Sequence, residues 1–220
     1  MSNEKHYHVQ RLSDREFSDR NAINEFLDNE FLAHVGFVES STQEPFVIPM
    51  GYARDGDRIL LHGSTGSRMM MQIAAGAQIC VTITQVNGLI AARSTFNSSM
   101  AYRSVSVFGP ARLLDGEEKE AALEKLINGI IPGRSSEVRP SSESEISRTS
   151  VLEVTIEEAS AKISVGPPDD DDEDVEGPAW AGVIPFRMIA EEPIPAPDGA
   201  VGAGTVPVPA SVRRYRERGS

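Results

Sequence analysis

The residues with the clearest chemical potential lie in one short stretch, Leu60–Ile73, which reads "LLHGSTGSRMMMQI". Between two apolar runs it sets His62, Gly63, Ser64, Thr65, Gly66, Ser67 and Arg68. Such a stretch reads as the junction of a strand and a helix, where the first amides of the helix lack internal acceptors and the helix dipole is positive. An anion is welcome there, and three hydroxyls with a guanidinium fork add donors suited to a phosphate. The same residues support a plainer reading, with Ser67 as an N-cap and Arg68 as a first-turn surface residue. His62 is either a hydrogen-bonded structural residue or a proton donor.

Two further features invite chemistry and are read more simply. Cys80, the single cysteine, sits in the apolar run "QICVTIT" with no base beside it, so it forms no internal disulfide and reads as a small core residue. The run "DDDDEDVE", Asp169–Glu176, carries seven carboxylates. Calcium loops place acids at alternate positions around a glycine, so this run reads as a solvated acidic loop. It supplies more than half of the net charge of −12, a balance that argues against a nucleic-acid partner.

The chain that must position these residues has 220 of them, 40% hydrophobic and 25% charged, which suits one sizeable domain. No apolar run reaches the roughly 18 residues of a membrane helix, and "MSNEKHYHVQRLSD" is too polar for a signal peptide. The expectation is a cytoplasmic protein without a membrane partner. Ser13 and Glu16 have capping-box spacing, Ser18 is a second candidate cap, and "NAINEFLDN" places Ile23, Phe26 and Leu27 on one helix face. The pattern then turns to strands: "FLAHVGFVES", "PFVIPMGYA", a tight turn at Asp55-Gly56, and "RILLHG". A short helix ending at Gly76 follows, then "QICVTITQ", a turn at Asn87-Gly88, "LIAARS" and the long run "AYRSVSVFGPARLL". "DGEEKEAALEKLINGII" reads as an amphipathic helix with acids in its first turn, before the strands "SVLEVTI" and "SAKISVG".

About six short antiparallel strands with few helices favour a closed or nearly closed barrel, which removes exposed edges. The chain contains no GxGxxG, GxxxxGK[ST], GxSxG, HExxH or CxxC motif. Residues 1–190 are expected to form the domain. Residues 191–220, rich in Pro, Gly and Ala with four arginines near the end, are expected to be a disordered tail.

The order "GFVES…PFVIPMGYARDGDRILLHGSTGSRMMMQIAAGAQICVTI…AYRSVSVFGPARLL…SAKISVG…WAGVIPF" resembles the pyridoxamine 5'-phosphate oxidase-like, FMN-binding split-barrel superfamily, in particular its nitroimidazole reductase branch. The resemblance spans about residues 31–186 and implies a mainly β, six-stranded antiparallel split β-barrel with peripheral helices. It also implies a homodimer with FMN in clefts at the subunit interface. By the resemblance, Val47, Ile48, Pro49, Met50 and Tyr52 lie along the flavin ring. His62, Gly63, Ser67, Arg68 and Met69 surround the ribityl phosphate, with Met69 standing where the oxidases usually have a lysine. Arg103 and Ser104 belong to the strand that approaches the flavin, and Trp180 to a segment that closes over it, from the same or the partner subunit. The "RLHDR"-like end that grips a vitamin phosphate is missing after Trp180, which turns the expectation away from pyridoxamine phosphate oxidation. The resemblance implies an oxidoreductase that reduces a small organic acceptor with electrons from a nicotinamide donor, His62 being the candidate proton donor. A non-catalytic flavin, haem or deazaflavin binder or redox sensor is the alternative.

Overall fold

In the computed structural model, residues 19–156, 158–197 and 206–217 are described. Their elements are α1 (Arg20–Asn29), β1 (Leu32–Val38), β2 (Pro45–Asp55), β3 (Arg58–Ser64), α2 (Arg68–Ala74), β4 (Gln78–Ala91), β5 (Ser99–Leu114) and α3 (Gly116–Ile130). After a 3-10 turn at Arg134–Glu137 come α4 (Glu143–Ser147), β6 (Thr149–Thr155), β7 (Glu158–Ser164), α5 (Asp172–Val175), β8 (Gly182–Pro185) and α6 (Ala210–Glu217).

All strand pairs are antiparallel, and six strands close a ring in the order β5-β6-β3-β2-β1-β4, with β4 returning to β5. The other two strands lie outside the ring, β7 on β5 and β8 on the far end of β4. The ring closes because β5 changes partners along its length. Its residues 99–110 pair with β4 and its residues 111–114 with β6, and the change falls at Gly109, with φ of 150°, and Pro110. A positive φ suits glycine, and proline withdraws one ladder donor at the corner.

Apolar side chains at alternate positions fill the ring. Val35, Tyr52, Ile59, Leu61, Val81, Ile83, Val105, Val107, Leu152 and Val154 are all fully buried. Helix α1 covers one end with Ile23, Phe26 and Leu27, the face its period indicates. Its N-cap is Asp19, whose carboxylate accepts from Asn21 N at 3.1 Å; Ser13, Glu16 and Ser18 lie outside the described residues. The Asp55-Gly56 turn is present, with Gly56 at φ of 61°.

Asn87-Gly88 is not a turn. Strand β4 runs through it with a bulge between Val86 and Gly88. Glycine is needed there for another reason: a Cβ at Gly88 would lie 2.4 Å from the Ile184 carbonyl oxygen of β8. Of residues 191–220, expected to be a disordered tail, 198–205 and 218–220 lie outside the described residues. Helix α6 rests on the 3-10 turn, where Glu137 accepts from the backbone N–H of Ser211 at 2.9 Å and from its hydroxyl, and Ser211 is buried. Polar anchoring replaces the apolar burial that the composition lacks.

Candidate functional site

The ring has a gap in its ladder. The first half of β2, residues 45–51, pairs with β1, but pairing with β3 begins only at Tyr52↔Leu61. Beyond that point His62, Gly63 and Ser64 of β3 keep only their pairing with β6, which runs along the whole strand. Tyr52 N donates to Phe31 O at 3.2 Å, toward β1. Strand alternation therefore aims the backbone of Val47, Pro49 and Gly51 into the gap: two N–H groups and three carbonyls. Pro49 sits where its missing N–H would have faced the open edge, the place a strand tolerates proline.

Side chains around the gap divide between two faces of the sheet. Tyr52 and Met50 pack on the core of the ring, Ile48 shares their side of the strand but is exposed, and the Tyr52 hydroxyl donates to Leu27 O at 2.7 Å, so Tyr52 acts as a core residue. Val47, Pro49 and His62 lie on the outer face, which continues across β1, β4, β5 and β7 through His34, Thr82, Ser106 and Ser160, each opposite the next. Thr82 and Ser106 hydroxyls are 3.0 Å apart, and Cys80 Sγ is 3.4 Å from Thr82 Oγ1. Cys80 is thus half-buried on the outer face rather than in the core. Ser104 shares this face with Thr84 and Lys162, whereas Arg103, its neighbour in the strand, points to the other side; one of the expected pair can face a ligand on the outer wall.

His62 is exposed, yet desolvation by the surrounding protein lowers its pKa from the ordinary histidine value, which favours the neutral ring at pH 7. Gly63 is small for packing, since a Cβ there would meet Met70 Cγ at 2.9 Å. The hydroxyls after it serve the turn and the cap. Ser64 Oγ accepts from Gly66 N at 3.2 Å, and Ser67 Oγ from Met70 N at 3.5 Å. Arg68 reaches across to the β1–β2 hairpin, with Nη1 3.5 Å from Glu39 Oε1 and its guanidinium 5.6 Å from the Phe46 ring centroid. Its side chain is 68% exposed, so donors remain free toward solvent. Met69 is a correction: its side chain is 5% exposed within the core, so it offers a phosphate only its backbone amide. Glu39 was not singled out in the sequence, and nothing in its local pattern marks it as buried beside Arg68.

Trp180 lies elsewhere. Its indole stacks on Gly182, where a Cβ would meet Cζ2 at 2.8 Å, at the end of β4 remote from α2. Thirteen residue steps of about 3.3 Å put roughly 40 Å of strand between Gln78 and Ala91. Trp180 is 71% exposed and does not close over the gap of its own chain. The arm that carries it is pinned by one member of the acidic run. Asp170, with its side chain 2% exposed, accepts from the Arg93 backbone N–H and guanidinium at 2.7 Å each, while its acidic neighbours Asp171, Asp172 and Glu173 face solvent.

Among the described residues, no helix is long and apolar enough to cross a membrane. No curated protein matches the chain. Two solved structures match nearly all of it, each with a TM-score of 0.87. The FAD and heme binding protein from Mycobacterium smegmatis is 37% identical over 92% of this chain and 97% of its own. The flavocytochrome Anf3 from Azotobacter vinelandii is 36% identical over 97% of both. A 5-nitroimidazole antibiotic resistance protein from Bacteroides thetaiotaomicron, 18% identical over 67% of this chain and 86% of its own with a TM-score of 0.57, shares the fold. The sequence profile of the pyridoxamine 5'-phosphate oxidase family matches residues 19–163, so this chain, with its six-stranded ring and open β2 edge, belongs to that family.

Proposed function

We propose that this chain is a flavin-binding oxidoreductase that reduces a small organic acceptor with electrons from a nicotinamide donor. The observation that carries the reading is the open edge of β2. The polar rim of a flavin ring carries both acceptors and a donor, and the gap presents partners for both, the N–H groups of Val47 and Gly51 and the carbonyls of Val47, Pro49 and Gly51. These backbone groups would hold the ring, and Arg68 would meet its phosphate. The bound flavin would supply hydride and single-electron transfer, and the chain supplies orientation and a neutral imidazole at His62 able to relay a proton. FMN, the expectation from the sequence, and FAD share the ring and first phosphate. The relative described as binding FAD favours the larger molecule.

A second reading adds a haem, because both near-full-length relatives are described by it, one as FAD- and heme-binding and the other as a flavocytochrome. Neutral imidazole is the form that ligates iron, and among the described residues His34 and His62 are the histidines, both on the outer face.

The partner we propose is a second copy. The outer wall carries the small residues Gly36, Cys80, Thr82, Thr84, Ser104, Ser106 and Ser160, with Phe108 and Lys162 beside them and no carboxylate among these residues in a chain of net charge −12, which suits packing of sheet on sheet. A second copy would also bring a Trp180 within reach of the gap. A cytoplasmic setting accords with the single cysteine.

The experiment is the visible spectrum of the purified chain, reconstituted with FMN, FAD or haem, then mixed anaerobically with reduced nicotinamide. A flavin band that bleaches supports the oxidoreductase. A flavin band that does not bleach leaves the non-catalytic binder, and failure to bind either flavin ends the proposal. If haem binds, loss of its band in His62→Gln or in His34→Gln identifies the ligand.

A further inference from the structure

A line of polar side chains runs from α1 to the β8 arm and takes no part in the flavin site. Gln85 Nε2 donates to Glu30 Oε1 at 2.7 Å, and Asn87 Nδ2 donates to Gln85 Oε1 at 2.9 Å. Asn87 is the extra residue of the β4 bulge, and its main-chain carbonyl accepts from Phe186 N at 2.8 Å, just past β8. The side-chain oxygen of Asn87 is buried and has no hydrogen-bond partner among the described residues.

The sense of this line is set by the charge on Glu30. An ionised carboxylate only accepts, so Gln85 turns its NH2 group to Glu30 and its oxygen to Asn87. Asn87 must answer with its own NH2, and its oxygen is left over. A protonated Glu30 donates, and the line reverses: Gln85 presents its oxygen to Glu30 and its NH2 to Asn87, whose Oδ1 gains a donor. Two amide rotations connect these arrangements. They act at the bulge residue whose carbonyl holds the arm: a buried acceptor left unpaired is costly, so the ordered bulge is less stable while Asn87 Oδ1 lacks a donor and more stable once it has one.

The groups facing Glu30 do not compete for Gln85. On β2, Tyr52 gives its hydroxyl to Leu27 O at 2.7 Å. Asp28 of α1 is held by Arg54 at 2.8 Å. On β5, Arg103 stands opposite Gln85 and is exposed. Burial raises the pKa of Glu30 above the ordinary glutamate value, against the opposing hydrogen bond from Gln85, which moves its protonation toward neutral pH.

We infer that Glu30, Gln85 and Asn87 form a proton-responsive latch that holds the β8 arm loosely on β4 when Glu30 is ionised and tightly when it is protonated. Trp180, the only tryptophan, rides on that arm and reports on it. Acrylamide quenching of Trp180 emission in the full chain should fall as pH is lowered from about 8 toward about 5, with a midpoint above the ordinary glutamate pKa of about 4.3. Glu30→Gln, neutral at every pH, should show low quenching throughout. Gln85→Leu, which keeps Glu30 but cuts the line, should lose the pH dependence, with far-UV circular dichroism unchanged in both variants. A transition in Glu30→Gln equal to that of the parent would assign the signal to the carboxylates of residues 169–176 and overturn the latch. The absence of a transition in the parent would overturn it as well.

Discussion

The outer face of the ring has two halves that share β2, β3 and β5. Where α3 crosses, the outward residues are Ala53, Leu60, Leu114 and Val151, packed on Ala122 and Leu126. The approach is close enough that a Cβ at Gly129 would come within 2.6 Å of the Ala53 Cβ. Ion pairs rim the contact: Arg58 and Arg112 each meet Glu153 at 2.6 Å, and Lys125 meets Asp55 at 3.0 Å. A few residues along, the face is open and carries Val47, Pro49, His34, His62 and Thr82. The change from apolar to small and polar side chains follows the edge of α3. One half serves stability, and the other is where the proposed flavin and second copy would sit.

The covered half should respond most strongly to truncation. Leu60→Ala, at a fully buried position, should cost about 2–5 kcal/mol in urea unfolding. Met69→Lys should be of similar severity, because it places an unpaired charge in the core. Val47→Ala, at a position 67% exposed, should stay within about 0.5 kcal/mol at low protein concentration. A Val47 loss as large as that of Leu60, independent of concentration, would break the contrast by showing the open half covered within one chain.

The next effect is on binding. Arg68→Ala should weaken FMN or FAD roughly tenfold to a hundredfold, since a charge-assisted hydrogen bond contributes about 1.5–3 kcal/mol. Riboflavin, which lacks the phosphate, should bind nearly as before. Equal loss of both would reduce Arg68 to its contact with Glu39 and remove the phosphate from this end of the open half.

The smallest effects are those of pH on stability, and their windows differ between the halves. Arg112, and after it Arg58, hold the Glu118 carboxyl down at about 2. The folded state therefore binds protons less readily than the unfolded chain, and this stability is present above the ordinary glutamate pKa and lost as pH falls from there toward about 2. Glu118 is exposed and screened, so the loss should be modest and salt-sensitive, and Tm in Glu118→Gln should fall less steeply over that range. On the open half the window lies higher. Desolvation depresses the His62 pKa, so the unfolded chain takes up the proton first, and stability declines slightly as pH drops below the ordinary histidine value of about 6.5. His62→Gln should flatten that decline.

Features set by neighbours in the chain were legible in the sequence. The α1 face of Ile23, Phe26 and Leu27, the Asp55-Gly56 turn, the Ser67 cap and the α3 amphipathic pattern follow from period and turn chemistry within a few residues. The stretch around Arg68 could be found because its residue types interrupt an apolar pattern. Its two readings could not be separated, because Glu39, which engages Arg68, comes from a different hairpin. Met69 shows the same limit: the resemblance sets it on the phosphate rim, and the packing of α2 against the core buries its side chain.

By itself, then, the sequence determined α1 to α3, most of the length of β1 to β7, the Asp55-Gly56 turn and the polar stretch between β3 and α2, since those depend on local period, capping and glycine stereochemistry, but not α4, α5, α6 or β8. Tertiary structure alone decided that Asn87-Gly88 is a bulge, through the approach of Ile184 O; that Asp170 is buried, through Arg93 at 77 residues' separation; and that α6 docks, through Glu137. It also decided that β2 leaves an open edge, because β3 parts from β2 beyond Leu61 while staying paired with β6 along its whole length. Each of these depends on which distant segment arrives beside a residue, and that is set by closure of the whole ring rather than by any pattern within one segment.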